Sequence, residues 1–473
     1  MGQNVAEPLD FSIEAEYSFL LGVSNTKMVA VASQRAVEAL SIFRAAVPTT
    51  FFENLRKASG LRAEGGVYTT ETTTWLIIQQ RLDGKATLST AVQQVGQGRP
   101  QQLLPNHKRL EEETLSSNTG GYSRARSRLK KEVAEQVSDK IFNYLMADAQ
   151  EALPGLGRQA FLLDGSSLDL PATPKLLEAY PPPTNQHGTA HWPIVRMVVA
   201  HDVVSGIGMR PHWGPMYGDK AVSEQQLAAD AIGQLPPGSV VVGDRNFGVF
   251  STAHDAHQRG YPVVVRLTDS RARSLLKGKL PPQLDRKIDW KPSRWDRKSH
   301  PDLPADACVQ GRLIACQVTT PKGQTIPLFL FTTLDMPLQK IVQLYGYRWN
   351  IETDLRSLKQ TVHMHSLTAR SVEMVAKELV LGVSAYNLVR GTMYAAARVA
   401  GIDARQLSFS RVQDVVNAAL PNLMAADSEE EYQRLLDRLL RRAGQCRLPR
   451  RPQRPTYPRA VWQRAATYPK RKT

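Results

Sequence analysis

The chain has 473 residues, the length of roughly three ordinary domains, and its 42% hydrophobic and 22% charged residues exclude a disordered chain. Sixty Lys and Arg against 44 Asp and Glu give a net charge of +16, which makes a polyanion the first partner to consider, because each neutralised phosphate releases counterions. No apolar run approaches the ~18 residues of a membrane span, the N-terminus lacks a basic segment followed by an apolar one, and Cys308, Cys316 and Cys446 are too few for a disulfide framework or a four-ligand zinc site. A soluble, intracellular, reduced protein with no membrane partner is expected.

In chain order, the N-terminal third reads as helical: apolar residues in EAEYSFLLG, TETTTWLIIQQRL and TLSTAVQQV recur at spacings of three and four. Thr70–Leu82 and Thr87–Val95, split by Asp83-Gly84, have the outline of a helix-turn-helix, a pattern also common in helical proteins that never meet DNA. A third helix is expected from Tyr122 to Met146, opening on Arg124, Arg126, Arg128, Lys130 and Lys131, a cluster that suits phosphate contact and a plain solvated face equally. From residue 158 the texture changes. AFLLD (160–164), IVRMVVAH (194–201) and IGMRPHW (207–213) read as strands, AVSEQQLAADAIGQL (221–235) as a helix and VVVGD (240–244) as a strand. The helix VFSTAHDAHQRG and the strand YPVVVRL (261–267) follow. This order fits an RNase H-like α/β domain, in which three strands form a meander and later ones add in parallel.

Residues 268–335 interrupt the alternation with a basic, Trp-bearing loop (Lys277–His300) and the runs GRLIACQVTT and TIPLFLFTT, and read as a β-rich insertion. A long helix is expected from near Pro337 past Lys359, another over Val372–Val399, and shorter helices up to Arg442. From Arg441 to Thr473 eleven Lys or Arg stand without an acid, among prolines and Tyr457, Trp462 and Tyr468. Such a composition cannot bury a core. It suits a phosphate-binding arm or a solubilising tail.

The most informative segment is YGYRWNIETDLRSLKQ (345–360). On an ideal helical wheel Tyr345, Arg348, Glu352 and Lys359 fall at about 0°, 300°, 340° and 320°, within one arc of about 60°. Beside it run Ile341, Leu344, Ile351, Leu355, Leu358 and Val362 as a stripe for burial. A carboxylate bracketed by two cations and a phenol at a core edge can ligate a metal while Arg and Lys hold phosphates. The same geometry also fits an exposed helix with an Arg348–Glu352 ion pair.

The spacing Tyr345-x2-Arg348-x3-Glu352-x6-Lys359 matches the Tyr-Arg-Glu-Lys signature of the insertion-sequence-four family of DDE transposases. The chain resembles that family also in LLDGSSLDLP, in VVVGDRNFG, in KELVLGVSAYNLVR and in NTGGYSRAR. The resemblance implies a catalytic triad of Asp164, Asp244 and Glu352. Read from the residues alone, Asp164 and Asp244 each close an apolar strand, where side chains emerge at a sheet's carboxyl edge. By the same rule Asp202, after IVRMVVAH, competes, and Asp169 lies five residues beyond Asp164; the family pattern alone selects Asp164 and Asp244.

The family further implies that the three acids hold two Mg²⁺ or Mn²⁺ ions for hydrolytic nicking at the element end and strand transfer into target DNA. Relatives can pass through a DNA hairpin. Tyr345, Arg348 and Lys359 would grip phosphates at the terminal nucleotides, Arg245 would help or serve only as a structural ion-pair partner, and Trp290 or Trp295 would stack on a flipped base or pack inside the insertion. Partners would be the terminal inverted repeats and target DNA, with a homodimer in the synaptic complex, in a bacterial cytoplasm close to the nucleoid. The expected organisation is a helical DNA-binding domain (1–150), an RNase H-like catalytic domain (151–400, insertion about 268–335), helices (401–440) and the basic tail (441–473).

Two other classes fit parts of the sequence. His363-Met364-His365 with Tyr386 spells the His-hydrophobic-His pattern of single-strand endonucleases with a Tyr nucleophile, although it follows a helix rather than lying on a strand. A domesticated, non-catalytic DNA-binding relative would keep the same blocks without cutting.

Overall fold

The structure, a computed structural model, describes residues 36–58, 64–147, 153–186, 188–319, 325–361, 363–364 and 367–448. The described part of the N-terminal third is helical as expected, while the expected EAEYSFLLG helix lies outside the described residues: α1 (Ala39–Ala46), α2 (Thr49–Ala58), α3 (Thr70–Leu82), α4 (Leu88–Gly96), α5 (Lys108–Glu111), α6 (Gly120–Arg128) and α7 (Lys131–Met146). Thr69 and Thr87 cap α3 and α4 by accepting N–H bonds from Thr72 and Thr90. The single helix expected over Tyr122–Met146 is two helices. Leu129 and Lys130 leave helical geometry (ψ 119° and 145°), and Leu129 turns into the core instead of continuing the basic face.

The centre of the chain forms an eight-stranded sheet in the order β5-β4-β1-β6-β7-β10-β9-β8. Its strands are β1 (Ala160–Asp169), β4 (Ile194–Asp202), β5 (His212–Pro215), β6 (Val240–Gly243), β7 (Val263–Arg266), β8 (Leu284–Trp290), β9 (Val309–Thr319) and β10 (Thr325–Thr332); β2 (Thr184–Asn185) and β3 (Gly188–Thr189) make a separate small hairpin. The antiparallel meander β1-β4-β5 and the parallel addition of β6 and β7 agree with the expected order. The run VVVG of β6 is buried on both faces, as a central parallel strand requires.

Three details differ. β1 runs on to Asp169 because β4 pairs with it along its whole length, so Asp164 lies inside the strand rather than at its end. Regular pairing of β5 starts only at His212, because the Gly208 N–H donates to Asn387 Oδ1 (2.8 Å) and its carbonyl accepts from Asn387 Nδ2 (2.7 Å), leaving a single bridge to His201. Residues 268–335 do not stand apart as a β-rich body. β10 pairs antiparallel with β7, so its strands extend the same sheet, accompanied by α11 (Asp269–Leu276) and α12 (Arg294–Ser299).

Around the sheet lie α8 (Pro174–Ala179), α9 (Glu224–Ile232), α10 (Phe250–Gln258), α13 (Leu338–Gly346), α14 (Arg348–Arg356), α15 (Val372–Ala400), α16 (Phe409–Leu423) and α17 (Glu429–Gly444). Ser371 caps the start of α15, and Gly401, in the left-handed region at φ 63°, ends it. α15 is buried almost all round from Val375 to Met393, the mark of a central column. Helices from both ends of the chain (α1, α3, α7, α16 and α17) pack on it. Glu378 of α15, 1% exposed, bonds Arg126 at 2.8 Å and faces Arg81 at 3.9 Å, tying the N-terminal helices to the column. Among the described residues no helix is long and apolar enough to cross a membrane.

Candidate active site

Parallel pairing of β1 with β6 ends at Leu163 opposite Gly243. Asp164 and Asp244 are the next residues on the two strands, so register alone brings them side by side. Burial pushes the Asp164 carboxyl up to about 7; the Gly165 N–H, donating to its Oδ1 at 2.7 Å, and Arg348 oppose this, while Asp244 and Glu224 reinforce it. Asp244 turns back on its own backbone, its Oδ1 accepting the N–H of Asn246 at 2.8 Å. Arg245 is exposed beside it. Gly248 ends this turn where a side chain has no room: a β-carbon there would stand 1.9 Å from the carbonyl oxygen of Arg266.

The helix expected from Pro337 past Lys359 is interrupted twice. α13 stops at Gly346 and α14 starts at Arg348, with Tyr347 as the shared cap; Ser357–Thr361 then form a wider, π-helical turn. An ideal wheel cannot register such a widened turn, so it does not fix the direction of Lys359, which lies in the π turn; Tyr345 lies near the end of α13 and Arg348 opens α14. Tyr345 is 5% exposed, and burial raises its pKa against the pull of Arg348 and of Arg266, which also hydrogen-bonds the phenol, with Asp244 also near. Arg348 is thus close to both Asp164 and Tyr345. Glu352 stands on α14 one turn beyond Arg348, and α14 packs against β1; the Glu352 side chain lies outside the described residues.

Sequence reasoning missed two groups. Glu224, the first residue of α9, accepts a short bond from Asn246 Nδ2, while Gln225 Nε2 donates to Asn246 Oδ1 at 2.8 Å. A chain of bonds therefore runs from Glu224 through Asn246 to Asp244. In the sequence Glu224 reads only as a first-turn acid after the Ser223 cap. Asp354, two residues past Glu352 and 2% exposed, accepts Arg390 at 2.6 Å, and both its oxygens accept from the single Nη1 of Arg405 at 2.7 and 2.8 Å. Burial pushes its carboxyl up, but Arg405, Arg390 and His201 outweigh it and hold it below the usual range. This buried ion pair anchors the helix that carries Glu352.

Other candidates fall elsewhere. Asp202 pairs with Phe161 at the opposite end of β1, because β4 is antiparallel, and caps its own turn through Ser205 (2.7 Å). Asp169 is exposed at the far end of β1. Trp290 does not face a ligand: it is 3% exposed, with ring centroids 4.7 Å from Phe331 and 6.0 Å from Phe250, because β8 turns it under the sheet. Trp295 on α12 is 74% exposed, with the Lys298 ammonium 5.5 Å from its ring. Tyr386 is fully buried on α15 and donates to the Gly206 carbonyl at 2.8 Å, which removes it as a nucleophile. His363 packs against the Asp83-Gly84 turn, and His365 lies outside the described residues. Of the basic tail, residues 449–473 lie outside them too. No group of three or more His, Cys, Asp or Glu among the described residues is set to hold a metal ion.

The family model for the transposase DDE domain matches residues 155–388, from just before β1 into α15. The chain is also 30% identical over 356 residues to the transposase InsG for insertion sequence element IS4 of Escherichia coli (strain K12), an alignment that covers 73% of this chain and 76% of that protein. With that extent of shared sequence, spanning the sheet edge where Asp164 and Asp244 meet, the chain belongs to the insertion-sequence-four family of DDE transposases and is a DNA transposase, an enzyme of the polynucleotidyl transferase and endonuclease class.

Proposed function

We propose that this chain cuts DNA at the ends of an insertion sequence and joins the freed ends to target DNA by cut-and-paste, with Asp164, Asp244 and Glu352 as its catalytic acids on an RNase H-like fold extended by residues 268–335. The observation that carries the reading is the emergence of Asp164 and Asp244 from adjacent parallel strands, beside a helix that bears Arg348 and Glu352. DDE transposases generally use divalent metal ions. The donor set fits hard cations: all three acids offer oxygen, and two carboxylates meet at a half-buried edge where each opposes the other's charge. Two Mg²⁺ or Mn²⁺ ions held by these acids would lower the pKa of the attacking water or 3′-hydroxyl and stabilise the leaving oxygen.

The protein's own groups bind and orient. Arg348 and Lys359 seat phosphates next to the acids, with Arg245 at the exposed rim and the Tyr345 hydroxyl as a buried donor beside Arg348 and Arg266. Glu224 holds Asn246, and Asn246 fixes the carboxylate of Asp244. Trp295 is the side chain available to stack on an unpaired base if the reaction passes through a hairpin. The N-terminal helices serve as the DNA-binding domain for the inverted repeats, and synapsis of two ends requires at least a homodimer.

The test incubates the purified protein with a labelled DNA fragment carrying the flanking inverted repeats, with and without Mg²⁺. The expected result is metal-dependent nicking at the repeat terminus, abolished by Glu352→Gln with binding retained. Undiminished nicking by that variant overturns the role given to Glu352.

A further inference from the structure

Away from Asp164 and Asp244, a cavity of about 570 Å³ opens where three distant parts of the chain meet: the end of α6, the loop between β1 and α8, and the start of α15. Its wall carries Arg126, Lys175, Arg370 and Lys377, against one carboxylate, Glu373. We infer that this cavity seats a backbone phosphate of the DNA that runs on from the catalytic acids; the inference rests on the transposase reading and adds a contact to it.

Four features support an anionic occupant. Lys377 is 1% exposed, and two of its three ammonium donors go to the carbonyls of Arg126 and Ser127 (3.0 and 3.3 Å), so a fixed charge lines the cavity. Arg126 gives one guanidinium nitrogen to Glu378 at 2.8 Å, and its buried Nε has no hydrogen-bond partner among the described residues. Lys175 and Arg370 are exposed at the rim, where the hydroxyls of Thr173 and Thr368 also line the wall. Finally, α15 begins here, and the free N–H groups and partial positive charge at the start of a 29-residue helix add to those cations.

The loop is tied to this wall, since the Thr173 hydroxyl donates to the Arg370 carbonyl at 3.2 Å. The path from the acids favours DNA over a free anion. β1 leads from Asp164 to Asp169 over about 17 Å, about the rise of five base pairs. The loop bearing Thr173, and Lys175 in the first turn of α8, follow directly. A duplex end held at Asp164 and directed along β1 would meet the cavity about five or more nucleotides from the scissile phosphate.

The test measures binding of end DNA by fluorescence anisotropy across a range of KCl concentrations. It compares the wild type, the double variant Lys175→Ala/Arg370→Ala, and Arg434→Ala, which removes a 70% exposed cation elsewhere. The double variant should bind about ten-fold more weakly at moderate salt and reduce the salt slope by about one to two. Arg434→Ala should behave as wild type, and Arg370→Lys should retain most of the affinity. Ethylation of a phosphate about five or more nucleotides from the cut should impair the wild type and not the double variant. A double variant with the slope and affinity of Arg434→Ala overturns the inference, as does thermal stabilisation of the wild type alone by inorganic phosphate with DNA binding unchanged in the variant. A wild type that neither binds nor nicks end DNA sinks the transposase reading itself; a wild type that nicks while the double variant binds normally sinks only the cavity.

Discussion

The carboxyl carbon of Glu224 lies 2.4 Å from the place where a β-carbon on Gly165 would stand. The glycine after Asp164 thus makes room for a close approach of the Glu224 side chain and not for a turn. Because the obstacle is the end of a flexible side chain, Gly165→Ala should cost about 1 kcal/mol of stability or less. It should displace Glu224 from Asn246, and so loosen Asp244. If Asp244 holds a metal as proposed, loss of such an outer partner reduces activity by about 10–100-fold. Gly165→Ala and Glu224→Gln should each slow nicking of end DNA within that range while leaving the melting temperature nearly unchanged. Wild-type nicking rates in both variants would remove Glu224 from the mechanism.

Asp354 offers a contrasting test, because its role is structural. Its carboxylate is shared between Arg390 and Arg405 in the interior, and removing one member of such a group leaves a buried charge without its counterpart. Asp354→Asn or Arg405→Ala should each destabilise the protein by about 3–5 kcal/mol. Chemical denaturation of each variant against wild type gives the measurement; a loss below about 1 kcal/mol would mean that solvent reaches the group.

Much of the site was legible because its parts are local. LLDG and VVVGDRNFG show apolar strands meeting acids, and in a parallel pair the register then brings those acids together. The stripe on 345–360 was legible as periodicity, but the π turn at Ser357–Thr361 was not, since a wheel assumes a constant angle per residue. Asp202 satisfied the strand-end rule yet sits at the wrong edge, because the rule holds for parallel strands and β4 is antiparallel. Glu224 and the Asp354–Arg405 pair were invisible for a different reason: each acts through a partner 20 or more residues away, which no local pattern encodes. The join of β10 to β7 is a long-range pairing of the same kind, and through it the expected insertion supplies three of the sheet's eight strands.

The pH dependence of stability follows from His201. The ring is fully buried, and burial lowers its pKa from 6.5 to about 4; Asp354 and the Gly206 carbonyl favour the charged form, while Arg390 and Arg405 oppose it. The folded state therefore binds fewer protons than the unfolded chain between these values. Its contribution, at most about 3 kcal/mol, is complete above 6.5 and lost as pH falls towards 4. Asp354, held low, adds stability that is present above its ordinary 3.8 and disappears at still lower pH. Urea midpoints measured from pH 7 to pH 4 should fall steadily for the wild type and more gently for His201→Leu. Parallel slopes would show that the ring is protonated in the folded protein.

The two tryptophans of the β8–α12 segment should separate stability from DNA binding. Trp290 is wedged between Phe250 and Phe331, so Trp290→Ala should cost about 3–5 kcal/mol through the cavity it leaves. Trp295, largely exposed, has little to lose in the fold, and Trp295→Ala should change stability by about 0.5 kcal/mol or less. Stacking of one base on an aromatic ring contributes about 1–3 kcal/mol, so the same variant should bind a nicked, partly unpaired element end about ten-fold more weakly than wild type. Binding to fully paired DNA should change much less, because no base is free to stack. The comparison needs both DNA forms and both variants: equal losses on paired and unpaired ends would assign Trp295 to general backbone contact, with Lys298 beside it, and not to base stacking.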